Sequence, residues 1–233
     1  MQVFLETERL VLRQFTMADL NNLVSLDADP DVMRFITGGQ ATSRDTVKDT
    51  LLPGFLARYR RSDGYGCWAA IEKTTGTFLG WFHFEPRDGG PPGEIALGYR
   101  LRKSAWGKGY ATEGARALIC KGFTELSAQR VIAETMAVNL ASRRVLEKAG
   151  LKFIRIFHQP WPYPVADREA GDAEYALGKT EWEQQNQPRT RESANPASRS
   201  ARSIPVTHRT QSYDIRAERR VLARVSEDSG CSP

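Results

Sequence analysis

Cysteine is scarce in this 233-residue chain, and the three present, Cys67, Cys120 and Cys231, stand far apart with no CxxC pair. That spacing supports neither a disulfide framework nor a zinc ribbon, and it predicts a reducing, cytoplasmic setting with no bound metal. Long apolar runs are missing too. No stretch approaches the ~18 residues of a membrane span, and the first residues lack the charged and apolar regions of a signal peptide, so no membrane association is expected. Lysine is absent from Pro188 to Pro233, where nine arginines face five acids. Most of the net charge of +5 therefore sits there, because residues 1–187 carry 24 bases and 23 acids. The same segment has eight serines and a single aromatic. With so little apolar surface to offset chain entropy, it reads as an Arg/Ser-rich disordered tail with a short helix over 213–225. Contact with nucleic acid is expected only weakly, through those arginines.

What is present is an ordinary globular composition, 40% hydrophobic and 26% charged, and residues 1–187 are predicted to form one domain. A strand runs from Glu6 to Phe15. Thr16 with Asp19 three residues on marks a helix start, and Leu20, Leu23 and Val24 keep helical spacing up to Asp29-Pro30. A second helix begins near Thr42 or Ser43 and carries Val47, Leu51, Leu52, Phe55 and Leu56 as a stripe, which Pro53 should kink or divide. From Cys67 the period changes. Trp68–Ile71, Phe78–Phe84 and Glu94–Leu101, separated by turn residues, predict an antiparallel meander. A helix then runs to Phe123, followed by the strand Val131–Thr135, a helix over Leu140–Ala149 capped by Gly150, and the strands Phe153–Phe157 and Glu174–Leu177. The sum is an α/β (α+β) fold, a mixed sheet of six to seven strands with helices on its faces. His83, Cys67 and Cys120 read as core residues.

The stretch from Glu94 to Ala115 is the most informative. Gly107 and Gly109, between a strand end and a helix start, let backbone N–H groups approach an anion where the helix dipole favours negative charge. Gly107-x-Gly109-x-Ala111 fits neither GxGxxG nor a Walker loop, so spacing alone leaves a tight packing turn as an equal reading.

Three motifs in order carry a resemblance: Glu8-Arg9-Leu10-x-Leu12-Arg13, then Trp106-Gly-Lys-Gly-Tyr-Ala-Thr-Glu113-Gly-Ala, then Asn139-x-x-Ser142-x-x-Val-Leu-Glu-Lys148-x-Gly150-Leu151. Together they resemble the GNAT acetyltransferase superfamily, in its branch similar to ribosomal-protein N-acetyltransferases, over about residues 6–182. The resemblance implies a mostly antiparallel sheet with a splayed central pair. It also implies acetyl-CoA as co-substrate and direct transfer to a primary amine, of a small molecule or a protein N-terminus. The pyrophosphate turn falls on Trp106, Gly107, Lys108, Gly109, Tyr110 and Ala111, with Trp106 where the family commonly has Gln or Arg. The splay falls between Glu94–Leu101, ending at Leu101, and Val131–Thr135. Asn139 matches the asparagine near the CoA arm, and it also suits a helix cap.

An attacking amine must be neutral, and a departing thiolate benefits from a proton. By the resemblance, Glu94 is the first candidate base and Glu134 the second, with an exposed loop-edge glutamate the other reading of Glu94. The tyrosine acid of many relatives falls on Leu146, which leaves Ser142 as the donor, or solvent in its place. In the proline-rich loop from Gln159 to Gly171, Trp161 and Glu169 are candidates for binding a cationic amine. A homodimer is compatible with the resemblance. The competing class is a CoA-binding domain without catalysis that senses acyl-CoA or associates with ribosomes or nucleic acid through its tail.

Overall fold

The computed structural model describes residues 2–60, 64–161 and 163–187. The tail expected from residue 188 onward lies outside them. The N-terminal strand is in fact a hairpin, β1 (Val3–Glu6) and β2 (Leu10–Gln14). Thr7 breaks it, its N–H donating to the Leu10 carbonyl and its hydroxyl accepting from the Leu10 N–H, both at 2.9 Å. Helix α1 (Leu20–Asp27) starts as expected. Asp19 accepts from the Thr16 N–H at 2.9 Å and is gripped by both Arg13 amino groups at 2.7 and 2.8 Å. Burial alone would raise the Asp19 pKa, but Arg13 and the Thr16 amide carry it below the usual value. Helix α2 (Pro30–Met33) has proline at its first turn and Asp29 as cap. The second predicted helix is not severed by Pro53. Instead α3 (Arg44–Thr46) passes through a π-helical stretch (Val47–Leu51), with the Leu52 N–H reaching back to the Val47 carbonyl, into α4 (Leu52–Arg58). The wider register falls on the turn whose ladder proline cannot complete.

The sheet has eight strands rather than six or seven, the hairpin supplying the extra one. After β2 come β3 (Gly66–Glu72), β4 (Phe78–Pro86), β5 (Glu94–Leu101), β6 (Arg130–Met136), β7 (Lys152–Phe157) and β8 (Asp172–Gly178). Their spatial order is β1-β2-β3-β4-β5-β6-β8-β7, and all neighbours are antiparallel except β5 and β6. Helices α5 (Tyr110–Thr124) and α6 (Leu140–Lys148) cover one face and α1 to α4 the other. Strand alternation assigns the residues between them: Cys67, Ala69 and Trp81 face α1–α4, while Trp68, Ala70, Phe82 and Phe84 face α5. Helix α5 lies close on the sheet because Gly114 has no side chain there; a Cβ would stand 2.3 Å from Phe82 Cζ. A last helix, α7 (Lys179–Asn186), has no apolar stripe to announce it, since it carries one large apolar residue, Trp182, which packs on Phe123. Cys67 and His83 are buried as expected. Cys120 is exposed, one step beyond the buried α5 stripe of Leu118, Ile119, Gly122 and Phe123. Among the described residues no helix is long and apolar enough to cross a membrane.

The central pair positions the site. Strands β5 and β6 pair only at Glu94↔Arg130, Ile95↔Val131 and Ala96↔Ile132. Beyond that, β5 stays with β4 up to Leu101 and β6 stays with β8 up to Met136, so the two diverge into a wedge.

Candidate active site

At the mouth of the wedge β5 runs into a short 3-10 turn (Lys103–Ala105) and then the glycine turn that opens α5. Gly107 and Gly109 have φ of 72° and 85°, which for a side-chain-bearing residue costs roughly 1–2 kcal/mol. No atom lies within 4 Å of where a Gly107 Cβ would stand, so the backbone there is open to a ligand. The turn is held from outside by the β1–β2 hairpin. Arg9 donates from Nη1 to the Lys108 carbonyl at 2.9 Å, lies 4.5 Å from the centre of the Tyr110 ring, and donates from Nε to Glu113 at 2.7 Å. Glu113, in the first turn of α5, also accepts from the Thr7 hydroxyl at 2.6 Å and the Arg9 N–H at 2.9 Å. Burial alone would push its carboxyl up, but these hydrogen bonds and the Arg9 charge lower it. Arg9 and Glu113 stood in the motifs without a role; the structure gives them one.

A cavity of about 480 Å³ runs from this turn through the wedge. Alternation along β5 and β6 divides its lining. Tyr99, Leu101, Ala133, Thr135 and α6 residues face the α5–α6 side, while Gly98, Arg100, Glu134 and Met136 face the α1–α4 side with Asp31, Phe35 and Trp81. Arg100 pairs with the buried Asp27 at 2.7 Å and Tyr99 bonds to Ser142, which fixes the two directions. The ladder to β4, bounded by Arg87 N–H to Glu94 O and Arg102 N–H to Leu79 O, turns the amide groups of Tyr99 toward the gap.

Predicted residues fall on both sides of the outcome. Leu101, Trp106, Gly107, Gly109, Tyr110, Ala111, Asn139 and Ser142 line the cavity. Trp106 Nε1 donates to the Leu101 carbonyl at 2.8 Å, and Tyr110 donates to Glu72. Asn139 caps α6 by accepting from the Ser142 N–H at 3.1 Å. The Ser142 hydroxyl lies 2.9 Å from the Tyr99 hydroxyl, whose pKa burial raises. Tyr99 was not singled out in the sequence, although its alternation with Leu97 and Leu101 was legible. Lys108 is not among the lining residues; it contributes its carbonyl to Arg9.

Glu94, Trp161 and Glu169 are not brought to the cavity. The Glu94 side chain is 3% exposed and paired with Arg87 at 2.9 Å and Arg130 at 3.4 Å, at the closed end of the wedge. Trp161 donates from Nε1 to Asp172 at 2.9 Å, and exposed Glu169 meets His158 Nε2 through its carbonyl at 3.1 Å. That loop packs on itself. Glu134 does line the cavity, with Arg87 Nη2 at 3.1 Å from its Oε1.

The geometry fits CoA: an open glycine turn at a helix N-terminus for the pyrophosphate, a strand edge with free amide groups for the arm, and a cavity beyond. Comparison with known proteins agrees. A family profile described as an acetyltransferase (GNAT) domain matches residues 9–152. The FsC-acetyl coenzyme A-N(2)-transacetylase of Aspergillus fumigatus is 31% identical over 204 residues, covering 80% of this chain and 81% of that protein. An acetyltransferase of the same family from Bacillus anthracis superposes with a TM-score of 0.62 at 25% identity, covering 76% of this chain and 99% of that one. The ribosomal L7/L12 alpha-N-protein acetyltransferase RimL, solved with coenzyme A, shares the fold at 17% identity and a TM-score of 0.62, over 76% and 98% of the chains. The chain belongs to the GNAT acetyltransferase family and is an acetyl-CoA-dependent N-acetyltransferase.

Proposed function

We propose that the acceptor is the primary amine of a small molecule, entering the wedge from the α1–α4 side while acetyl-CoA lies on the α5–α6 side. The observation that carries this is the two-faced cavity, whose α1–α4 half is lined by Phe35 and Trp81, the latter under the Arg100 guanidinium, and by the carboxylates of Asp31 and Glu134, which Lys103 and Arg87 hold in place. Aromatic walls and anionic groups suit a cationic amine. The relative from Aspergillus fumigatus, by its name, transfers acetyl to an N(2) nitrogen.

In this reading the amides of Gly107, Gly109 and Ala111 hold the pyrophosphate, with Lys108 as a nearby cation, and Leu101, Trp106, Tyr110 and Asn139 frame the arm. When bound, acetyl-CoA supplies an activated acyl group as a thioester. Glu134, rather than Glu94, takes the proton from the incoming ammonium, directly or through water. Ser142 holds a proton at Oγ, kept in place by the Tyr99 hydroxyl.

The test is thiol release from acetyl-CoA with three panels: alkyl and aryl amines, amino-acid derivatives with free α-amines, and peptides with free N-termini. Small-molecule acceptors are expected to exceed peptides by at least about tenfold in kcat/KM, roughly 1.4 kcal/mol of transition-state binding. Peptides winning by that margin would assign the acceptor to protein N-termini instead.

A further inference from the structure

Three carboxylates from three strands converge on one guanidinium. Arg87, just after β4, reaches Glu94 of β5 at 2.9 Å, Glu134 of β6 at 3.1 Å and Glu174 of β8 at 3.6 Å. Glu134 and Glu174 are directly opposite in register, which puts two like charges side by side on one face. Glu94 has Arg130 in addition at 3.4 Å, and Glu174 has Arg155 at 3.1 Å. The side chains of Glu94 and Glu174 are 3% and 6% exposed; that of Glu134 is 18% exposed and reaches the cavity, where Asp31 and Arg100 are the other charged groups on the same side. Asp172, two residues along β8 from Glu174, adds a further acid. Carboxylates so placed repel one another, and a shared cation lets them coexist as anions.

We propose that Arg87 is a positioning residue for the transfer. It holds the Glu134 carboxylate charged at the cavity wall against Glu94 and Glu174, and so sets the lower pH limit of amine acetylation. The proposal rests on the reading of Glu134 as the proton acceptor. Arg87 is itself shaped by this company: burial alone would lower its pKa, but the hydrogen bond to Glu94 and the three carboxylate charges raise it. The arrangement predicts opposite effects from its two ends. Removing Arg87 leaves three acids and two outer arginines, Arg130 on Glu94 and Arg155 on Glu174, and the Glu134 carboxylate, on the strand between those two like charges, takes up a proton more readily. Neutralising Glu94 instead leaves Arg87 to two carboxylates and makes the Glu134 charge easier to keep.

The experiment uses the full chain with glutamate labelled at the δ-carbon, titrated by carbon-13 NMR without substrates, with Glu134→Gln identifying its signal. In Arg87→Gln, the Glu134 signal is expected to titrate about 1–2 pH units higher than in the wild type. Arg87→Lys restores much of the difference, and Glu94→Gln moves it the other way. The acid limb of kcat/KM, with acetyl-CoA and the fastest amine of the panels above, moves by the same amount. Should Arg87→Gln unfold, Arg87→Lys and Glu94→Gln still carry the comparison. An unmoved Glu134 titration in these variants, or a fall in kcat/KM equal at every pH, overturns the proposal. If Glu134→Gln leaves kcat/KM and its acid limb unchanged, the assignment of Glu134 as proton acceptor fails, and the substrate-free titration separates that failure from one in the charge arrangement.

Discussion

Replacing Arg9 by Met and Glu113 by Gln, singly and together, asks whether the glycine turn is braced by the N-terminal hairpin. The guanidinium spans three parts of the turn: the Lys108 carbonyl, the Tyr110 ring and the Glu113 carboxylate, with Nη2 to Glu113 Oε2 at 2.6 Å. Hydrogen bonds to charged groups contribute about 1.5–3 kcal/mol. The Arg9 side chain is 40% exposed, so solvent screening brings the expected coupling down to about 1–2 kcal/mol. The assay is urea unfolding at pH 7 on all four proteins, closed as a double-mutant cycle. Each single variant should lose most of what the double variant loses. The sign with pH is fixed as well. Folding lowers the Glu113 pKa from 4.5, so its contribution is complete above that value and fades as pH falls through the lower folded pKa. The gap between wild type and Glu113→Gln should therefore close in acid. CoA affinity, measured by calorimetry, should fall about tenfold in Arg9→Met, or ~1.4 kcal/mol. Additive stability losses, within about 0.5 kcal/mol, would refute the brace.

Gly107→Ala meets no clash but must hold φ near 72°; thermal unfolding should show a melting temperature lower by a few degrees, from about 1–2 kcal/mol of strain, and calorimetry about a tenfold loss in CoA affinity, because the added methyl stands in the space open to the ligand. Ser142→Ala should lower kcat by about 10²-fold with CoA affinity nearly kept, and Tyr99→Phe, which removes the partner hydroxyl, should lower it by less; steady-state kinetics decides, and an unchanged kcat in Ser142→Ala would leave the proton to solvent. Truncation after residue 187 should leave acetyl transfer within about twofold while weakening any RNA retention on a salt gradient, because most of the net positive charge lies in the removed segment.

The architecture was legible wherever period and punctuation agreed. The meander from Cys67 to Leu101, the glycine turn and helix α6 all lie where turn residues bound clean alternation or a capped stripe. Helix α7 and the break at Thr7 were not legible, the first because one tryptophan makes no stripe, the second because a threonine hydroxyl turns the chain without glycine or proline. The site divided along a physical line. Backbone-built features were within reach: spacing marks the glycine turn without choosing between ligand and packing, and the family resemblance supplies the open strand edge. Charged side chains do not, because their value depends on partners remote in sequence: Glu94 looked free until Arg87 and Arg130 closed on it, whereas Glu134 lies forty residues further on at the opening of the wedge. Trp161 and Glu169 had suitable chemistry in a loop that turns inward upon Asp172 and His158.

The division of the cavity by strand alternation has a consequence for how the enzyme can change. In the proposed reading, donor recognition draws on main-chain groups and on one face of β5, and acceptor recognition on the opposite face and on Asp31, Val32, Phe35 and Ile36, which line the cavity from the short segment around α2. Because side chains on the two faces share only the strand between them, substitutions in that segment can retune which amine is admitted without disturbing the donor. Descendants of one ancestor can thus diverge in diet while keeping the same currency.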